Sequence, residues 1–168
     1  MKGRRLVILA SILCKWLTGC GTMDYGNEIS QVIYTSDAGT LLPEQQWHER
    51  VVISRSKVSL ARNGRVENTE INEGAWEFSV EDQQVTALFE QLRIVDCSSL
   101  ERIEPDDPPD GGGTETYTIR YASGRECSLV YDPGTTYTDG RLIVEPIEAF
   151  VQSLTPPADA ASRYRFSP

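Results

Sequence analysis

Residues 117–131 read Tyr117-Thr118-Ile119-Arg120-Tyr121-Ala122-Ser123-Gly124-Arg125-Glu126-Cys127-Ser128-Leu129-Val130-Tyr131. Tyr117, Ile119 and Tyr121 alternate with polar neighbours, and so do Cys127, Leu129 and Tyr131. A period of two marks a strand buried on one side. Two such runs joined by Ala122-Ser123-Gly124-Arg125 predict an antiparallel hairpin with one apolar face. That face needs a cover, and two helical stripes supply it. Val85, Leu88, Phe89 and Leu92 fall at i, i+3, i+4 and i+7, the spacing of an amphipathic helix. Ser79 is placed to cap this helix, and Glu81 and Asp82 suit its positive end. Ile147, Phe150, Val151 and Leu154 form the second stripe, in a helix over 142–154. Pro146 lies near its first turn, where proline is tolerated.

Upstream, residues 28–36 alternate around Ile29, Val32, Ile33 and Tyr34 as a first strand. Residues 50–53 and 57–62 predict two more, and Asn63-Gly64 is a strong hairpin-turn signal. Residues 66–71 predict a weaker return strand, and Trp76 and Phe78 flank Glu77 in a short strand leading into the first helix. The expected fold is therefore α+β: an antiparallel sheet of about four to six strands with two helices packed on one face.

The loop over 104–115 carries Pro105, Pro108, Pro109 and Gly111 to Gly113, residues that break regular structure. Asp106, Asp107 and Asp110 offer oxygens to calcium, but the spacing departs from the twelve-residue EF-hand pattern. The glycines lack the Lys and Ser/Thr of a phosphate loop. His48 is the single histidine, and no Gly-x-Ser-x-Gly is present. The sequence therefore calls for no catalytic residue, metal or cofactor. Among the aromatics Trp47, Trp76, Tyr117, Tyr121, Tyr131 and Tyr137, packing across the sheet is the ordinary role, with Tyr137 expected as the exposed contact.

The amino terminus has a different character. Lys2, Arg4 and Arg5 precede an eight-residue apolar run from Leu6 to Leu13, and Leu17-Thr18-Gly19-Cys20 follows. The run is too short for a bilayer, which takes about 20 residues, and has the plan of a secretory signal. Leu17 to Cys20 resembles the lipobox of bacterial lipoproteins. The resemblance implies cleavage before Cys20, acylation of that thiol and a durable two- or three-chain anchor. Lys15 and Trp16 depart from the usual pattern. Gly21, where aspartate marks inner-membrane retention in the family, implies the outer membrane in a source with two membranes. The resulting organisation is signal peptide 1–19, lipidated terminus and tether 20–27, one α+β domain 28–154 and a flexible tail 155–168. The tether, Gly21 to Asn27, reaches on the order of 15 Å.

On that reading Cys14 departs with the signal and Cys20 takes lipid. Cys97 and Cys127 remain, and an even pair in an exported domain reads as a disulfide. Two free thiols or a metal pair are the alternatives. Strand parity points Cys127 to the core, within expected reach of Cys97 at the helix exit. The remaining chain holds 12 Lys+Arg against 25 Asp+Glu, a net charge of −13. Such acidity argues against nucleic acid and favours solubility or a cationic partner.

The order strand, helix, acidic loop, hairpin, helix over residues 76–154 resembles small peptidase-inhibitor modules of the emfourin type, although the Ser-Gly-Gly near the start of such modules is missing. The reading is a membrane-anchored, non-enzymatic envelope lipoprotein that binds another protein or a small ligand, with inhibition as a subtype. An envelope assembly or structural lipoprotein, or a hydrolase, is the alternative. Arg163-Tyr164-Arg165-Phe166 in the tail offers a partner contact, though a solvated tail is its ordinary reading.

Overall fold

The computed structural model describes residues 27–39 and 41–165. The signal segment 1–19, Cys20 and most of the expected tether lie outside the described residues. The chain runs β1 (Ile29–Asp37), β2 (Trp47–Ser54), β3 (Lys57–Gly64), β4 (Gly74–Ser79), α1 (Asp82–Arg93), β5 (Arg102–Ile103), β6 (Thr114–Tyr121), β7 (Glu126–Tyr131), β8 (Thr136–Tyr137), α2 (Arg141–Ser153) and α3 (Ala158–Ala161). Six strands form one antiparallel sheet in the order β4-β3-β2-β1-β6-β7, and β5 pairs with β8 in a small second sheet. The fold is α+β.

Register explains which face is covered. Val32 stands opposite Ile53 and Ile119, Tyr34 opposite Val51 and Tyr117, Val58 opposite Phe78, and Leu129 opposite Tyr117. These side chains share one face, and Val85, Leu88 and Leu92 of α1 and Ile143, Ile147 and Phe150 of α2 complete the core over it. Of the expected stripes Val85, Leu88, Leu92, Ile147 and Phe150 are buried, Phe89, Val151 and Leu154 are partly buried at the margin, and Ile143 joins the core from outside the expected stripe. The opposite face carries Thr35, Thr116, Thr118 and Ser128 among its residues, polar side chains suited to water.

Several local expectations gave way to tertiary pairing. Asn63 and Gly64 make no turn; they extend β3 and pair with His48 and Trp47. β2 starts at Trp47, earlier than its alternation indicates, so its added residues take their ladder partners from β3. Gly64 also lets the chain close on itself, since a Cβ there would sit 2.1 Å from the Thr69 hydroxyl oxygen. The reversal falls instead just beyond, where the Thr69 amide donates to the Val66 carbonyl. Residues 66–71 form no strand; Ile71 alone makes a bridge, to Tyr164. Ser79 stays in β4 opposite Lys57 and does not cap α1, whose cap position is Glu81 without a side-chain bond. Pro146 lies inside α2, past its first turn, so the Leu142 carbonyl loses its usual helical donor.

The tail is the largest difference. Residues 155–165 pack onto β2, β3 and the segment before β4, with Ala160 buried. The flexible tail expected from its Pro/Ala content is therefore not what the described residues show.

Candidate functional site

Cys97 and Cys127 form the disulfide anticipated from parity, with Cα atoms 5.9 Å apart. Neither alternative, free thiols or a metal pair, holds. The oxidised sulfurs also remove the described cysteines from nucleophilic chemistry. His48 sits on β2 with Nδ1 3.0 Å from Asp37 Oδ1, and Arg65 donates to the same oxygen at 2.9 Å. This is a partly exposed ion cluster on the solvent side of the sheet. Asp106, Asp107 and Asp110 are exposed in the proline-glycine loop, and no group of three or more metal-ligating side chains occurs among the described residues.

Tyr137, expected as the exposed contact, is half-buried. Its hydroxyl accepts from the Val130 amide at 3.0 Å and donates to the Val130 carbonyl at 3.3 Å, while its ring packs on Tyr131. It closes the small sheet over the large one. Along the covered face Tyr34 packs tilted against Tyr117, and Tyr117 meets Tyr131 edge to face. The Tyr34 hydroxyl donates to Glu115 at 2.7 Å, and the Tyr117 hydroxyl lies 2.7 Å from Glu148 and 3.0 Å from Glu115. Burial first, and the neighbouring carboxylates next, push both phenols far above their ordinary range. Both stay neutral at physiological pH; Tyr34 ties β1 to Glu115 of β6, and Tyr117 ties β6 to Glu148 of α2.

Two features have the form of binding sites. One is an open cleft of about 410 Å³ between the start of β1, the β2–β3 turn and α1, lined in part by Asn27, Arg55, Val85, Phe89 and Arg93. Its floor is apolar and its rim charged, with Arg55 paired to Glu28 and Arg93 to Glu90. Asn27, the first described residue, lies at its edge, and Arg125 donates to the Asn27 side chain at 2.8 Å.

The other is the seat of the C-terminal segment. Arg62 and Glu49 face each other across β3 and β2 and are almost wholly buried, with Nε donating to Oε2 at 2.6 Å. Arg62 Nη1 also donates to the Ala160 and Ser162 carbonyls, and its guanidinium lies over Trp76. Arg163 lies over the Trp47 ring, 4.3 Å from its centroid, and reaches Glu49 Oε1 at 3.4 Å. The backbone adds strand-like pairing: the Asn72 amide donates to the Arg163 carbonyl and the Arg165 amide to the Glu70 carbonyl, each at 2.9 Å. Arg165 also reaches Glu73 at 3.1 Å. A buried Arg–Glu pair without such extra bonds would be costly, so the tail carbonyls complete it.

Periodicity pointed to none of these polar residues. Arg62 and Glu49 do alternate in phase with Leu60 and Val51, which marks them as core-facing charges once the strand limits are known. No family model, curated relative or solved structure matches this chain.

Proposed function

We propose that the protein is a lipid-anchored lipoprotein of the cell envelope whose domain is a non-enzymatic binding module for another protein or a small ligand. The single observation that carries this is Leu17-Thr18-Gly19-Cys20 behind a basic and apolar start. The described domain opens at Asn27, seven positions later, so an acylated Cys20 would hold it within on the order of 15 Å of the bilayer. No helix among the described residues is long and apolar enough to cross a membrane. The two candidate sites support a binding role, since each offers charged and apolar contact surface.

Palmitate labelling of the full chain tests the anchor. Wild type is expected to take label and Cys20→Ala to take none; equal label rejects it. Pull-down from native membranes with the anchor intact tests the binding role. Turnover of a substrate by a chain that retains no partner would reverse it.

A further inference from the structure

The C-terminal segment sits in its seat as a ligand would. It pairs edge-on with the backbone of Glu70 to Asn72, which belongs to no other strand, and it places an arginine between an aromatic ring and a buried carboxylate. Strand addition plus a side-chain pocket is a general way to bind an extended peptide. The residues meeting the two arginines, Glu49 and Glu73, are acidic, and the exported chain as a whole carries −13, so the seat attracts a cationic partner.

The fit of the resident segment is incomplete. Among the described residues the Trp47 indole N–H of the groove and Arg163 Nε of the segment are buried without a hydrogen-bond partner, and the Arg163–Glu49 contact is long at 3.4 Å. Buried donors without acceptors are unfavourable, so the resident segment is held less firmly than a peptide that gives the Trp47 indole an acceptor. Only the four-residue α3 and short flanks join the segment to α2, so it can exchange with a peptide whose own carbonyls take over the bonds from Arg62.

Resting on the binding-module reading above, we infer that the groove formed by Trp47, Glu49 and Glu70 to Glu73 recognises an extended Arg-x-Arg peptide of a partner protein, with the chain's own Arg163-Tyr164-Arg165 as the resident competitor.

The test uses the full chain in detergent and a fluorescein-labelled peptide copying residues 157–165, read by fluorescence anisotropy. An Arg163→Ala/Arg165→Ala chain loosens the competitor and is expected to bind the peptide at least about tenfold more tightly than wild type. A chain ending at Thr155 should do the same. Citrulline in place of both peptide arginines keeps the shape and removes the charge, and is expected to weaken binding by at least about tenfold. The inference is overturned if the double variant, folded by circular dichroism, ignores the peptide, or if the arginine and citrulline peptides bind alike. Should the shortened chain not fold, the double variant decides alone. A partner recovered from membranes by a chain that ignores the peptide overturns this groove while leaving the binding-module reading intact.

Discussion

Cys97, in the short 3-10 turn after α1, is bonded to Cys127 of β7, their Cα atoms 5.9 Å apart across 30 residues of chain. The bond spans the proline-glycine loop and the β6–β7 hairpin, and so limits the unfolded chain where regular structure is thinnest. Closing a loop of that length is worth about 3–4 kcal/mol in the chain-entropy account. Cys97→Ala/Cys127→Ala is expected to lose about that much stability in urea unfolding. A midpoint unchanged from the oxidised wild type would show that the bond constrains nothing.

The Arg62–Glu49 pair yields a second expectation. Arg62→Ala strands the Glu49 carboxylate inside the protein and removes the donor to Ala160 and Ser162. Breaking one side of a buried pair costs about 3–5 kcal/mol. Arg62→Met combined with Glu49→Gln leaves no buried charge and should cost clearly less. Chemical denaturation of the two variants checks this, and equal losses would mean that the charge itself is not what Arg62 serves.

The tyrosines predict an alkaline dependence. Burial, then Glu115 and Glu148, raise the folded-state pKa of Tyr34 and Tyr117, while the unfolded phenols ionise near about 10. Above that pH the folded state holds protons that the unfolded state has released. Stability is then expected to be full below about pH 10 and to fall as pH rises above it. Urea midpoints at pH 8, 9, 10 and 11 trace the decline, and Tyr34→Phe should make it shallower. A slope identical in Tyr34→Phe would assign the effect elsewhere.

Pro146 offers a gain. It lies inside α2, where a proline omits one helical hydrogen bond and crowds the preceding turn. Pro146→Ala should restore the bond from residue 146 to Leu142 and raise stability by about 1–3 kcal/mol. Thermal unfolding reads the change. A lower midpoint would mean that the half-buried proline ring contributes more by packing than the lost bond costs.

Patterns of adjacent residues were enough for the α+β class, the two helix stripes, the hairpin over 117–131 and the core-facing side of Cys127. Each depends on periodicity within a few residues, and burial on one face imposes that periodicity whatever lies across the core. The proposed lipobox rests equally on contiguous residues, Leu17 to Cys20, which lie outside the described residues. Asn63-Gly64 shows the limit of local reading: its turn preference is weaker than the ladder partners demanded by the longer β2. The tail shows the same limit at longer range. Arg62 meets Ala160 and Ser162 across about 100 positions, and Glu70 and Ile71 meet Arg165 across more than 90. Contacts between polar groups and distant backbone leave no period in the chain, because each partner is specified by where the folded sheet places it. Folding alone brought Trp47, Glu49 and Arg163 together.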